Sequence, residues 1–232
     1  MTSADEPAAL HTCLPDPVTL RRRGRALALL DAILCPEWEY RYHSYDARWS
    51  PGHEVSSMRT GSGDGYWIVF APAGVLVLGF AHESPRSPWR HVPPRPWPGL
   101  LDGIPGPLQS YLDEVRLDGV PAVTVCAWWD AGQWRGGELT GAPPDGSLDL
   151  FTLLLAEPSA PAYGRFAQDY FEVGLDLTAV ARVFAREPLT QELVHALSEH
   201  VAIEDLAEEC ATIGWPLEWS KISKGVRAAA SH

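Results

Sequence analysis

The spacing of apolar residues changes twice along the chain, and each change predicts a different kind of structure. In residues 19–34, apolar side chains recur every three or four positions with arginines between them, which predicts an amphipathic helix. Pro36 is expected to end that helix, because proline cannot continue it. In residues 37–49 the period falls to two, as in an antiparallel strand with one covered face. From residue 158 onward the helical period returns.

The middle of the chain has the pattern of consecutive hairpins. Residues 53–61 predict a second strand, and two nearly continuous apolar runs, 66–71 and 75–80, predict a central hairpin closed by "PAG". A further hairpin is expected over residues 122–139, a short helix over 107–115, and another strand over 148–155. The proline-rich stretch 85–107 cannot be regular and is expected to be a long ordered loop over the sheet.

Local signals also mark helix ends in the C-terminal part. Asp176 or Thr178 is placed to cap one helix, and Thr190 is placed to cap the next, because their side chains can accept hydrogen bonds from the first free backbone N–H groups. Gly214 is expected just after the last helix, where the chain often turns left-handed.

These elements predict an α+β fold with an N-terminal helix, a mostly antiparallel sheet and a C-terminal helical block. Strands that follow one another without intervening helices argue against a doubly wound parallel sheet. The expected organisation is a flexible arm over residues 1–17, a single domain over 18–221 and a flexible tail over 222–232. Within the domain, the sheet part covers about 37–156 and the helical part about 158–215.

Charge and cysteine content limit the classes of function. The formal net charge is -12, with 30 acidic against 18 basic residues, so the surface repels nucleic-acid phosphates. Such a surface is typical of a protein that is merely soluble, and it also suits capture of a basic protein partner. The four cysteines are scattered and predict neither a disulfide framework nor a zinc site. Residues 21–35 resemble a secretion signal, but Asp31 interrupts the apolar part and a polar stretch precedes it. We therefore expect a cytoplasmic protein with no membrane contact.

The segment "GFAHES" places polar side chains where an apolar run ends. His82 and Glu83 form a candidate acid/base pair there, with Arg59 to bind an anionic group, which would suit a hydrolase. Asp64, Asp102 and the strand residue His43 could converge on the same place. The alternative is that His82, Glu83 and Ser84 bond backbone groups and hold the proline-rich loop. Phosphate-binding loops, dinucleotide fingerprints and metalloprotease motifs are absent from the sequence, so no cofactor and no metal are expected.

The ten tryptophans form the second candidate feature. Most of them are expected to fill the core and clamp the loop, but an exposed aromatic ring beside carboxylates is a typical protein-binding hot spot. Trp128 and Trp129 are adjacent on a predicted strand and must face opposite ways. The candidate binding residues are Trp49, Asp64, Trp89, Asp102 and Trp129.

Four segments of the chain resemble a family of bacterial proteins of unassigned function. The segments are "LDAILCPEWEYRYHSY" (residues 30–45), "SMRTGSGDGY" (57–66), "GFAHES" (79–84) and "PGLLDGIP" (98–105). The resemblance continues through "DYFEVGLDLTAVARVF" and "PLTQELVHAL" and so covers most of the chain beyond the arm. Small acidic α+β proteins of this kind include immunity proteins of bacterial toxin systems, an analogy of fold class alone.

Three hypotheses about function follow from the sequence. The first is a non-enzymatic protein-binding module, of the immunity or adaptor type, that engages a basic partner through an acidic, tryptophan-bearing surface. The second is a hydrolase with His82 as general base, Glu83 orienting it and Arg59 binding an anion. The third is a structural or regulatory domain with no ligand.

Overall fold

A computed structural model describes residues 9–157 and 159–218, and it has the α+β architecture that the sequence predicts. A long helix near the N-terminus precedes a mostly antiparallel sheet, and short helices follow it. The α-helices are α1 (Leu10–Cys13), α2 (Pro17–Leu34), α3 (Gly106–Gln109), α4 (Thr152–Leu155), α5 (Ser159–Tyr170), α6 (Leu177–Phe184), α7 (Gln191–Leu197) and α8 (Ala207–Ile213). Among these described elements, no helix combines the length and hydropathy needed to cross a bilayer.

The main sheet has six strands in the order β1-β2-β3-β4-β7-β8, and every neighbouring pair is antiparallel. The predicted hairpins form as expected. The strands are β1 (His43–Ser50), β2 (His53–Arg59), β3 (Gly65–Ala71), β4 (Gly74–Phe80), β7 (Val125–Asp130) and β8 (Gln133–Arg135), with a small separate hairpin of β5 (Arg116–Leu117) and β6 (Val120–Pro121).

Each face of the sheet is covered by a different part of the chain. The larger core lies between one face and the helices, and it includes Ile68, Phe70 and Val77. A second, smaller core lies on the opposite face, where Leu76 and Trp128 pack against side chains of the proline-rich segment and the short helix after it. The predicted loop over the sheet is therefore confirmed. Because both faces of β4 are buried, its sequence is continuously apolar rather than alternating.

Helix α2 is the central helix of the larger core. Asp16 caps its first turn by accepting hydrogen bonds from the backbone N–H groups of Val18 and Thr19, and Pro17 occupies a position where no N–H is needed. The helix begins two residues earlier than predicted. Its arginines are not all solvated, because Arg23 is buried and donates to the Leu154 carbonyl and the Glu157 carboxylate.

The prediction of a loose arm is wrong for its second half. Residues 10–13 form α1, and Leu10 and Leu14 are buried in the larger core. The indole N–H of Trp134 on β8 donates to the Pro15 carbonyl at 2.7 Å, which fixes the segment against the edge of the sheet. The composition of the segment is polar enough to suggest a tail, but its two leucines, four residues apart, are buried in the larger core. Residues 1–8 and the predicted tail 222–232 lie outside the described residues.

Two strand predictions are also wrong, one in where the strand begins and the other in the type of element. The strand expected over residues 37–49 begins only at His43, because the chain must reverse direction after α2. Arg41 holds that reversal by donating to the carbonyls of Cys35 and Pro36, and residues Trp38–Tyr40 form a 3-10 turn. The strand expected over residues 148–155 is a 3-10 turn (Ser147–Phe151) followed by α4. Phe151 and Leu154 are both fully buried three residues apart, which is helical spacing.

The helix-end predictions are confirmed. The Asp176 side chain accepts from the Thr178 N–H, and the Thr190 side chain accepts from the Leu193 N–H. Gly214 has a φ of 71° and follows α8 directly. Thus each cap that the sequence marks is formed by a contact within four residues.

Candidate functional site

His82 is fixed by Asp64 at the end of the β3–β4 pair. Oδ1 of Asp64 accepts two hydrogen bonds from His82, one from the backbone N–H at 2.7 Å and one from ring Nδ1 at 2.7 Å. The backbone turns directly after β4, and this turn brings the side chain of His82 back to the loop before β3. Asp64, rather than the predicted Glu83, is therefore the carboxylate that orients the ring.

The second ring nitrogen of His82 is also engaged. Nε2 lies 3.2 Å from the Glu83 carboxylate, which in turn lies 3.6 Å from the Arg90 guanidinium. The hydrogen bond to Asp64, followed by the charges of Asp64 and Glu83, raises the pKa of His82 above its ordinary value of 6.5. A carboxylate at each nitrogen favours the protonated ring, and in that form neither nitrogen has a lone pair to offer a substrate.

The other residues of the predicted catalytic cluster serve different contacts. Arg59 stacks on the Trp38 ring, with its guanidinium carbon 3.9 Å from the ring centroid, and donates to the Trp38 carbonyl. Ser84 donates to the Asp145 carboxylate and accepts from the Arg86 N–H. Asp64 and Arg59 line a shallow cavity of about 330 Å³ beside β3, but His82 does not line it. Of the three side chains in the structural alternative, only that of Ser84 bonds a backbone group, the Arg86 N–H; those of His82 and Glu83 contact other side chains.

The five predicted binding residues lie in separate places rather than on one surface. Trp49 packs on Trp67 and Tyr111, on the sheet face opposite the helices. Trp89 packs edge-on against Phe80, and Trp129 packs against Trp134 and the larger core. Asp102 lines a cavity beside Trp128, Trp134 and His11, near the β8 edge. Asp64 is the partner of His82 described above. Trp128 and Trp129 do face opposite sides of β7, and each side is covered.

A surface that the sequence did not single out carries the exposed aromatic side chains. Among the described residues, the large aromatic side chains that are exposed are Trp38, Tyr40 and Tyr170, at 56%, 62% and 43%. Two of them lie on the 3-10 turn after α2, and the third ends α5. Exposed carboxylates flank both segments. We call this surface the acidic aromatic face: Trp38, Tyr40, Tyr170, Glu37, Glu39, Asp169 and Glu172.

Specific contacts hold the two halves of the acidic aromatic face together. The Tyr170 hydroxyl donates to the Tyr40 carbonyl at 3.3 Å, across 130 residues of sequence. The Tyr170 ring stacks on Phe166 at 5.6 Å and packs edge-on against Tyr42 at 4.3 Å. The supporting rings lie directly before β1 (Tyr42) and on α5 (Phe166), so contacts between distant parts of the chain position the face.

A groove runs along the outer edge of β1 and adjoins the acidic aromatic face through Trp38. We call it the tryptophan groove; it encloses about 400 Å³, and its walls include Trp38, Trp49, Trp67, Asp46, Glu208 and Glu209. Arg41 also lines it, but a 2.8 Å ion pair with Glu209 offsets its charge. The groove is thus aromatic on its walls and negative at its rim.

The backbone of β1 adds hydrogen-bonding groups to this groove. β1 is the edge strand of the sheet. The Arg59 N–H donates to the Tyr42 carbonyl at 2.9 Å. In an antiparallel pair every second residue bonds to the neighbouring strand, so the backbones of Ser44 and Asp46 bond to β2 as well. The backbone N–H and C=O of Tyr45 therefore face outward, into the groove. An extended peptide can pair with such an edge.

The sequence contains one signal for this surface. "EWEY" (residues 37–40) alternates carboxylate and aromatic side chains directly after the proline that ends α2. The same alternation predicts a half-buried strand, and only the reversal of the chain exposes both aromatic side chains. The contribution of Tyr170 has no sequence signal, because its partner Tyr40 is distant in the chain.

Comparisons of the chain with protein-family models, with curated proteins and with solved structures give no match in any of the three. The resemblance of the four segments therefore stays a prediction. Within residues 9–157 and 159–218, no group of three or more His, Cys, Asp or Glu side chains is arranged to hold a metal ion. The fold and the surface together define an α+β protein with an acidic aromatic face beside the edge strand β1.

Proposed function

We propose that this chain is a non-enzymatic protein-binding module, of the immunity or adaptor type, that engages a basic protein partner through the acidic aromatic face. One observation carries the proposal: the exposed aromatic side chains of the described chain, Trp38, Tyr40 and Tyr170, occur together and are flanked by carboxylates. Tryptophan and tyrosine are the residues most enriched at interface hot spots.

The surrounding charge supports a basic partner. The chain carries a net charge of -12, and the rim of the tryptophan groove and the acidic aromatic face both present carboxylates. Complementary charge accelerates association and excludes acidic partners. The outward edge of β1 would let a basic strand of the partner add to the sheet, with its side chains reaching the groove. Such a partner is a protein rather than a nucleic acid, and a cytoplasmic location fits this proposal.

The hydrolase alternative has less support from the geometry. Its general base would be His82, yet both ring nitrogens face carboxylates and the raised pKa favours the protonated form. Arg59, its proposed anion-binding group, stacks on Trp38.

The test is cross-linking of the full chain to its partner in native cells, followed by a calorimetric titration with the purified partner. We expect cross-links on the acidic aromatic face. We expect Trp38→Ala and Tyr170→Ala each to weaken binding about tenfold, which corresponds to about 1.4 kcal/mol. Affinity should also fall steeply as salt rises, because the attraction is electrostatic.

The matched control is Leu117→Ala, which removes an apolar side chain of similar exposure, 54%, from the β5–β6 hairpin. This variant should bind like the wild type. A partner that binds Trp38→Ala and Tyr170→Ala as tightly as the wild type, or that proves to be acidic, contradicts the proposal.

A further inference from the structure

The proline-rich segment presents an apolar part to solvent. Val92 is 100% exposed, the highest value among the large apolar side chains of the described residues, and Pro93 and Pro94 beside it are also exposed. We call residues 90–95 the proline-rich tip. Neighbouring apolar side chains that the fold leaves uncovered are typical of interaction sites, so the tip is a candidate for one.

Hydrogen bonds and ring contacts hold the tip in place. The Pro88 carbonyl accepts from the backbone N–H groups of His91 and Arg95, both at 3.2 Å, which closes the loop at its base. The His91 ring packs on Trp97 with 5.4 Å between the ring centroids, and Trp97 packs against the smaller core. A site that is fixed before binding loses less conformational entropy when it binds.

The tip is positively charged, although the chain as a whole is acidic. Residues 84–101 contain three arginines and no aspartate or glutamate, whereas the net charge of the chain is -12. Arg86 forms an ion pair within the fold. Arg90 lies 3.6 Å from the Glu83 carboxylate but keeps 56% of its side chain exposed, and Arg95 is exposed as well. The tip therefore offers two exposed guanidinium groups beside its apolar side chains.

The tryptophan groove has the complementary chemistry. Its walls include Trp38, Trp49 and Trp67, and aromatic-lined grooves are the usual binding sites of proline-rich segments. Asp46 and Glu208 add carboxylates to the groove, and a guanidinium group binds a carboxylate through strong charge-assisted hydrogen bonds. The apolar part of the tip thus matches the walls of the groove, and the arginines of the tip match its negative rim.

The tip does not enter the groove of its own chain, because no residue of 84–101 lines that groove. The segment is anchored at the end of β4, where Trp89 packs edge-on against Phe80, and β2 and β3 separate β4 from β1. Three strand spacings amount to about 14 Å, so the anchored tip lies apart from its own groove. The tip of a second copy is free of this constraint.

From this complementarity we infer that the chain associates with itself, with the proline-rich tip of one copy bound in the tryptophan groove of another. Val92 and Pro93 would pack against the tryptophan rings of the groove. Arg95 would donate to the Glu208 or Asp46 carboxylate. Two copies can make this contact once, or twice if each tip enters the groove of the other copy. The inference goes beyond the proposed function, because it requires no other protein.

Net charge and contact area limit the strength of this association. Two copies with a net charge of -12 repel each other, but salt screens the repulsion over about 8 Å at physiological ionic strength, so the charges in direct contact decide the outcome. A single loop in a groove buries a small area, which is typical of weak and transient complexes. We therefore expect a dissociation constant roughly between 10 μM and 1 mM.

The test is sedimentation velocity of the full chain alone, at physiological salt, from about 5 μM to about 1 mM, a range that includes this dissociation constant. We expect the weight-average sedimentation coefficient of the wild type to rise with concentration. Arg95→Glu should weaken self-association at least about fivefold, because a carboxylate then faces the negative rim. Arg135→Glu is the matched control: it makes the same change of charge at an exposed position on β8 and should associate like the wild type.

Two results of this experiment would overturn the inference. The first is a wild type that stays monomeric over the whole range. The second is Arg95→Glu associating as tightly as Arg135→Glu does. Because no partner is present, neither result depends on the proposed function.

A mixture of two variants tests whether the tip meets the groove. Trp38→Ala removes a wall of the groove and keeps the tip, whereas Arg95→Glu changes the tip and keeps the groove. Each variant alone should associate weakly. Mixed in equal amounts, the two should form a one-to-one complex, because each supplies the half that the other lacks. A mixture that stays monomeric at concentrations where the wild type associates would show that the tip and the groove are not partners.

A second variant of the tip keeps the test independent of folding effects. Val92→Ser changes a fully exposed side chain, so the protein should keep its circular dichroism spectrum and its thermal stability. It should weaken self-association at least about threefold, because the apolar contact with the groove is lost. Self-association of Val92→Ser at wild-type strength would exclude the tip from the contact.

Discussion

The Asp31 carboxylate binds His43 twice, through the backbone N–H at 2.8 Å and through ring Nδ1 at 3.0 Å, both to the same oxygen. Its other oxygen accepts from the Tyr163 hydroxyl at 2.7 Å. Asp31 lies on α2, His43 begins β1 and Tyr163 lies on α5. One fully buried side chain therefore fixes the positions of the central helix, the edge strand and the helix that supports the acidic aromatic face.

Replacing Asp31 should destabilise the fold strongly. Asp31→Ala leaves two side-chain donors and one backbone N–H without their acceptor in the core, and we expect the free energy of unfolding to fall by about 3–5 kcal/mol. Asp31→Asn keeps the shape of the side chain and one acceptor oxygen but turns an N–H₂ group toward one donor. It should therefore lower the free energy of unfolding by less than Asp31→Ala does. Urea denaturation followed by circular dichroism measures both. A loss below about 1 kcal/mol for Asp31→Ala would show that the network contributes little.

His82 should titrate above its ordinary pKa. Asp64 and Glu83 stabilise the charged ring, so the pKa of His82 in the folded protein exceeds the unfolded value of 6.5. The resulting contribution to the free energy of unfolding is fully present below pH 6.5. It is lost as pH rises through the folded pKa. An NMR titration measures the pKa of His82 directly. Asp64→Asn should lower it toward 6.5, while His53, bonded to the Pro51 carbonyl, serves as the internal reference. An unchanged pKa in Asp64→Asn would contradict the assignment of Asp64 as its main cause.

Trp128 should dominate the stability of the smaller core. Its ring is 3% exposed, and its indole N–H has no hydrogen-bond partner among the described residues. We therefore expect Trp128→Ala to cost about 3–5 kcal/mol of unfolding free energy and Trp128→Phe distinctly less, because only packing is lost. Limited proteolysis should cut the proline-rich segment faster in Trp128→Ala. Trp38→Ala, at an exposed tryptophan, is the control and should cost under about 1 kcal/mol.

Replacing Gly214, which directly follows α8, should lower the free energy of unfolding. Its φ of 71° disfavours any residue with a side chain, and an added Cβ would lie 3.0 Å from the Ala47 Cβ on β1. We expect Gly214→Ala to lower the unfolding free energy by about 1 kcal/mol or more. Gly61→Ala is the control, since an added Cβ there has no atom within 4 Å, and it should change stability by less than about 0.5 kcal/mol. If Gly214→Ala and Gly61→Ala lowered the free energy of unfolding equally, the left-handed backbone of Gly214 would not be the cause.

The sequence by itself determined the elements that depend on interactions between residues close together in the chain. The helical period and Pro36 predicted α2, "PAG" between apolar runs predicted the β3–β4 hairpin, and Thr190 and Gly214 marked helix ends, because each depends on contacts within a few residues. An apolar run such as residues 148–155 has no such local cause, so its helical conformation depends on the core against which Phe151 and Leu154 pack.

Only the tertiary structure decided which side chains meet at the surface. Asp64 rather than Glu83 orients His82, Tyr170 reaches Tyr40 across 130 residues, and Asp31 reaches Tyr163 across 132. The predicted binding residues instead lie apart: Trp49 lies at the β1 edge of the sheet, Asp102 lies near the opposite β8 edge, and Trp129 packs against the larger core on the other face. Periodicity and capping act over one or two turns of chain, whereas the packing of helices on a sheet brings together residues whose separation in sequence carries no signal.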